Sequence, residues 1–215
     1  MTGTPQVVFF DLGNVVMPWS PRRLYAELIP DPVELGRFTS EVMTVAVNEE
    51  LDRGRSHTDV LAEVEARHPE HGELIWAYWT RWPETLAEPI AGTVEIIDEL
   101  GRAGVPRYAL SNFARSTFDR IVEDPRFAVL HRLDGWLLSG DVGVIKPDPA
   151  IYAMACERFR VEASHAVFID DRLDNVDAAR NFGMTALLFT NPDKLRHELI
   201  SLGLPLEADP GRHAS

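Results

Sequence analysis

Short, continuous apolar runs alternate along this chain with longer stretches whose apolar residues fall at helical spacing. Val7-Val8-Phe9-Phe10 is such a run, rich in β-branched and aromatic side chains. It predicts a strand covered on both faces, as in the middle of a parallel sheet. From about residue 92 the pattern recurs. Arg107-Tyr108-Ala109-Leu110, Trp136-Leu137-Leu138, Ala166-Val167-Phe168-Ile169 and segment 185–189 are further predicted strands. Segment 93–102 carries Val94, Ile97 and Leu100 on one helical face, with Gly104 as a stop signal. Segment 149–159 is a helix with Asp148 as N-cap and Pro149 at its first position. A third helix closes at Gly183, with Asp174 or Asn175 as its cap, and a fourth follows Pro192. The alternation predicts an α/β fold with a doubly wound parallel sheet.

Segment 18–89 breaks this rhythm. Its candidate pieces, 22–29, 32–47, 58–68 and 73–82, are all helical and are separated by Pro30, Pro32, Gly54, Pro69, Gly72, Pro83 and Pro89. The expected organisation is a catalytic core formed by 1–17 and 90–205, an inserted all-helical cap at 18–89, and a flexible tail at 206–215. Spacing of three places Trp76 and Trp79 near one helical face, followed by Trp82. Packing within the cap is the simplest reading, and contact with a substrate is the alternative. Arg22, Arg23, Arg53 and Arg115 are expected in solvent, although Arg22 and Arg23 follow the cap junction closely enough for one to reach a substrate.

Bulk properties narrow the function. The net charge of -13 argues against nucleic acid or an anionic membrane as a partner. No apolar run approaches a membrane span, and the first residues lack a signal pattern. The single Cys156 can form neither an intrachain disulfide nor a zinc cluster, so cytoplasmic residence is the expectation. The seven histidines show no metal-ligand spacing. Oligomeric state is not legible.

The chemistry gathers at strand ends, the edge where open α/β sheets bind ligands. Asp11-Leu12-Gly13-Asn14 follows the first strand, and Asp170-Asp171 follows a later one. Two strand ends delivering carboxylates predict one acidic pocket suited to a hard metal ion. Taken singly, Asp11 and Ser111-Asn112 are turn residues, Lys146 a surface lysine, and Asp170-Asp171 a helix cap. Together, Asp11-Leu12-Gly13-Asn14, Leu110-Ser111-Asn112, Lys146-Pro147-Asp148-Pro149 and Ile169-Asp170-Asp171 with Asn175 stand in order along the chain. In this order and with these residue types they resemble the four motifs of the haloacid dehalogenase-like (HAD) superfamily. The resemblance covers most of residues 7–190, and it includes a cap between motifs one and two. The DLGN and DD forms look like a phosphatase branch that contains sugar-phosphate (glucose-1-phosphate type) phosphatases.

The resemblance implies a Mg²⁺-dependent hydrolase of small-metabolite phosphate monoesters, sugar phosphates among them, acting through an aspartyl-phosphate. Asp11 is then the nucleophile and a metal ligand. The Gly13 carbonyl and Asp171 are further ligands, and Asp170 sits beside the metal, ligating directly or through water. Lys146 balances the charge of the phosphoryl group and the carboxylates, and Ser111 and the Asn112 amide hydrogen-bond phosphate oxygens. The assignments make physical sense, since a carboxylate and a phosphate repel by roughly 4 kcal/mol per unit-charge pair at 4 Å and an effective dielectric near 20.

One departure stands out. Superfamily phosphatases usually carry a second aspartate two positions after the nucleophile, and here Gly13 occupies that place. A general acid contributes about 10²–10⁴-fold. Either another residue protonates the leaving group or the natural substrate has a good one. Two other functions compete. A 2-haloacid dehalogenase needs no metal and tends to lack the acidic pair that Asp170 and Asp171 form here. A catalytically weak binding protein would retain the fold alone.

Overall fold

The computed structural model of the protein describes residues 5–208. Strands β1 (Val7–Phe10), β2 (Arg107–Ser111), β3 (Gly135–Leu138), β4 (Ala166–Asp170) and β5 (Thr185–Leu188) form one parallel sheet in the order β3-β2-β1-β4-β5. All four β1 residues are buried, and their side chains alternate between the two faces. Val8 and Phe10 share one core cluster with helix residues Ile96, Ile97, Leu195 and Leu199. Val7 and Phe9 share the other with Ile151, Tyr152, Val176 and Ala179. The sheet is therefore doubly wound.

The helices follow in chain order. The insert holds α1 (Pro21–Leu28), α2 (Pro32–Arg37), α3 (Val45–Asp52), α4 (His57–Arg67) and α5 (Gly72–Thr80). The core then adds α6 (Ala91–Arg102), α7 (Arg115–Phe118), α8 (Ser139–Val142), α9 (Pro149–Phe159), α10 (Leu173–Phe182) and α11 (Pro192–Ser201). The chain leaves the core and returns to it along two paired segments. Trp19 and Leu86 form an antiparallel bridge, flanked by Ser20 N–H to Thr85 O and Ala87 N–H to Pro18 O, both 2.9 Å. Among the described residues no helix is long and apolar enough to cross a membrane.

Three local expectations change. Segment 32–47 is not one helix: α2 runs into a wide π turn at Phe38–Val42, and Met43 leaves helical geometry at φ -96°, ψ 69°. Thr44 then caps a new helix, its side chain accepting from Val47 N, and α3 continues to Asp52. Neither Asp174 nor Asn175 is the N-cap of α10. The helix begins at Leu173, so both lie inside its first turn; Arg172 holds the N-cap place without a side-chain bond, Asp174 pairs with it, and Asn175 donates to Asp170. Most of the expected tail, residues 209–215, lies outside the described residues. Its beginning is tethered: Leu206 packs against the core and Glu207 N–H donates to Glu99 Oε2 at 3.1 Å.

Candidate active site

The register of the sheet brings the motif residues to one edge. Phe10 pairs with both Ala109 and Ile169, so Asp11, Ser111 and Asp170 emerge together at the carboxyl ends of three adjacent strands. Asp11 Oδ1 is fixed by three donors: Ser111 Oγ at 2.6 Å, Leu12 N–H at 2.8 Å and Lys146 Nζ at 2.9 Å. Among the described residues nothing bonds its Oδ2. One oxygen anchors the carboxylate and the other is free. Burial pushes the Asp11 carboxyl up to about 6, and the Lys146 charge opposes that rise.

Lys146 is almost wholly buried, and its ammonium also donates to Asp170 Oδ2 at 2.6 Å and Leu110 O at 3.0 Å. Burial works to lower its pKa, but Asp11 and Asp170 outweigh that and hold it above the ordinary lysine value. Asp170 is fully buried and accepts from Arg172 N–H at 2.8 Å and from Asn175 Nδ2 at 3.0 and 3.1 Å. Its first structural duty is thus to hold Lys146. Burial and then the Asp170 charge raise the Asp171 carboxyl.

Asn14 adopts the left-handed region at φ 57°, which asparagine tolerates better than most residues. There its Nδ2 donates to Asp171 Oδ2 at 3.2 Å and its Oδ1 accepts from Trp19 N–H at 3.0 Å. Gly13 does not have positive φ, and a side chain built on it would meet nothing within 4 Å. The Asn112 side chain is committed to the Lys146 backbone, which leaves only its main chain for a ligand.

Asp11, Asp170 and Asp171 each offer an oxygen within 4.8 Å of the others. Three carboxylates against one ammonium leave two negative charges, which a divalent cation would balance. All donors are hard oxygens, a set that fits Mg²⁺.

The site opens into a cavity of about 460 Å³. Trp19, Trp82, Phe113 and Val144 supply apolar wall, and Asn48, Asp52, His57 and Arg172 supply polar wall. Trp82 packs edge-on against Phe113, with ring centroids 5.4 Å apart. Trp76 instead donates to Glu65, and Trp79 packs on His57. Arg53 lines the cavity, whereas Arg22 is exposed and reaches Thr39. Sequence reasoning missed Asp52, His57 and Arg172. Asp52 stands out only once α3 is seen to end there: an acid then closes the helix, where the helix dipole disfavours it, and no basic residue sits in that last turn.

The family profile of the haloacid dehalogenase-like hydrolases matches residues 5–183. The chain belongs to that family. This HAD-like hydrolase is 26% identical over 196 residues to the sesquiterpene phosphatase astK of Aspergillus oryzae, covering 89% of this chain and 93% of that one. It is 24% identical over 200 residues to a glyceraldehyde 3-phosphate phosphatase of Methanopyrus kandleri, covering 85% and 82%. Over 223 residues it is 24% identical to the drimenol cyclase drtB of Aspergillus calidoustus, covering 94% of this chain but only 37% of that protein. A HAD family enzyme of Bacteroides thetaiotaomicron, solved as a magnesium complex, has the same fold at a TM-score of 0.71 and 16% identity, covering 91% and 98% of the two chains.

Proposed function

We propose that this HAD-like hydrolase is a Mg²⁺-dependent phosphatase acting on small phosphate monoesters through an aspartyl-phosphate on Asp11. The observation that carries the reading is the asymmetry of Asp11: Oδ1 takes three donors, while among the described residues Oδ2 has none, and the residue lines the cavity. A carboxylate held by one oxygen is oriented for attack by the other.

In this reading Asp11 Oδ2 attacks phosphorus, and the bond to the leaving oxygen breaks. Lys146 keeps Asp11 ionised and offsets the charge that gathers on the phosphoryl oxygens. With substrate in place the Ser111 hydroxyl would turn its one proton from Asp11 Oδ1 to a phosphoryl oxygen, and the main-chain amide of Asn112 would donate to another. Asp11, Asp171, the Gly13 carbonyl and Asp170, directly or through water, would hold Mg²⁺, which when bound would offset the repulsion between nucleophile and phosphate. Water then cleaves the acyl-phosphate and restores Asp11. The apolar wall around Trp19 and Trp82 favours a substrate whose organic part has a hydrocarbon face. The phosphatase relatives support the chemistry.

The test is turnover of p-nitrophenyl phosphate with and without Mg²⁺, beside halide release from 2-haloacids. Mg²⁺-dependent phosphate release with no halide supports the reading. Halide release without metal would establish a dehalogenase, and inertness to both would favour a binding protein. A panel of phosphorylated metabolites then identifies the substrate.

A further inference from the structure

The reaction above needs a proton for the leaving oxygen, and Gly13 has none to give. The cavity that Asp11 shares is lined by four other acidic side chains: Glu49, Asp52, Asp148 and Asp171. Asp171 belongs to the metal set. Asp148 is exposed and caps α9 through Ala150 N–H at 2.9 Å. Glu49 is half-buried and pairs with Arg53 at 3.6 Å. Asp52 remains. We propose that Asp52, at the end of cap helix α3, is the general acid and then the general base of this site. The inference rests on the reading of Asp11 as the phosphoryl acceptor.

Asp52 is held over the core by independent anchors. Its carbonyl accepts from Ser139 Oγ at 2.6 Å, and that same Oγ accepts from Phe113 N–H at 2.9 Å. Two residues on, Gly54 has φ +89°, and a side chain there would lie 2.7 Å from Gly140 O. The chain thus presses against the short helix α8 that follows β3, at an approach that leaves no room for a side chain. The carboxyl group is positioned separately. Asn48 Nδ2 donates to Asp52 Oδ2 at 2.7 Å, and Tyr78 donates to Asn48 Oδ1 at 2.6 Å.

This placement is unfavourable for an ordinary aspartate. The group is buried at the negative end of a helix, and among the described residues no cation pairs with it. Such conflicts between local preference and position concentrate at functional sites. The charged groups facing it are Asp11 and Lys146 from the core and Glu49 on its own helix. Burial first, then the Asp11 charge, pushes the Asp52 carboxyl up to about 7, so a large fraction carries a proton at neutral pH.

The steps balance. As Asp11 forms its bond to phosphorus, the phosphorus–oxygen bond to the leaving group breaks and that oxygen takes the Asp52 proton, leaving as an alcohol. Asp52, now a carboxylate, accepts a proton from the water that attacks the aspartyl-phosphate. The Asp11–phosphorus bond breaks, inorganic phosphate leaves, and both aspartates return to their starting states.

The test is a leaving-group series, from nitrophenyl to simple alkyl phosphates, in single turnover with Mg²⁺. For the unmodified protein we expect a shallow dependence on leaving-group pKa. In Asp52→Asn we expect the alkyl rates to fall by roughly 10²–10⁴-fold and the nitrophenyl rate to fall far less. Asp52→Asn/Gly13→Asp should regain alkyl turnover, because the space beside Gly13 is open. A steep dependence in the unmodified protein overturns the proposal without any variant, which covers the case of a variant that does not fold. Equal loss across the series in Asp52→Asn, or no loss, also overturns it while leaving Asp11 as nucleophile. No hydrolysis of any phosphate by the unmodified protein removes both readings together.

Discussion

The side chain of Asn112 closes a two-bond ring on the backbone of Lys146. Its Nδ2 donates to Lys146 O at 3.0 Å, and its Oδ1 accepts from Lys146 N–H at 2.8 Å. Both capacities of the amide are thereby used on one residue. The ring fixes where the lysine stem starts, and so where its ammonium meets Asp11 and Asp170.

Asn112→Ala should therefore act through Lys146. Losing both bonds lets the ammonium drift, and a displacement near 1 Å at a reacting centre can cost about 10²-fold. The expectation is a fall in kcat of roughly that size with a smaller change in KM. Steady-state kinetics of the variant check it, and an unchanged kcat would show that the ring is dispensable.

Asp11→Asn should remove turnover while the protein stays folded. The amide is nearly isosteric, but it is a poor nucleophile and a poorer metal ligand. Thermal unfolding should remain cooperative, because Lys146 keeps Asp170 as a partner. Full activity, with deamidation excluded by mass spectrometry, would remove Asp11 from its role.

Activity should vanish in EDTA and return with Mg²⁺, and Ca²⁺ should support little turnover because its shell is larger and looser. Asp171→Ala should raise the Mg²⁺ concentration needed for half-maximal rate. Titrating Mg²⁺ against rate for both proteins checks this, and metal-independent hydrolysis by clean protein contradicts it.

Replacing Asp52 should stabilise the fold above neutral pH. Its carboxyl rises from 3.8 to about 7 on folding, so the folded state holds a proton that the unfolded state releases. Stability then falls as pH climbs through that window, by at most about 4 kcal/mol. Asp52→Asn carries no such penalty. Its gain in Tm over the parent should be larger at pH 8 than at pH 5, and equal gains at both would contradict the shift.

Glu99 has the opposite sign. Arg196 grips it with two bonds of 2.8 Å in a buried pair, and those bonds hold its carboxyl below the ordinary value. The stabilisation is present above the unfolded pKa near 4.5 and is lost as pH falls through the lower folded one. Glu99→Gln should cost about 1.5–3 kcal/mol at pH 7. In urea unfolding the difference from the parent should shrink towards pH 3.

The core strands were legible because Val7-Val8-Phe9-Phe10 and Ala166-Val167-Phe168-Ile169 are apolar on both faces, a pattern that fits a covered strand well. Asp11, Ser111, Lys146 and Asp170 were legible as a set because each follows such a run or sits in a motif of distinctive spacing. The break at Met43 was not, since a π turn leaves the spacing of apolar residues almost intact. That break also hid Asp52, which belongs to a helix expected to end at residue 47. Asp52 becomes meaningful only when Ser139 and Gly140, far along the chain, meet it.

The position of β1 has a consequence for how the chain is made. Of the five strands β1 leaves the ribosome first, yet its two neighbours, β2 and β4, begin at residues 107 and 166. The helices of the insert can form by local contacts long before then, whereas β1 must wait for partners on both sides. The strand that leads into Asp11 is thus the earliest of the five to be synthesised and among the last completed. A nascent chain cut short before residue 166 contains the whole insert but lacks β4 and with it Asp170 and Asp171.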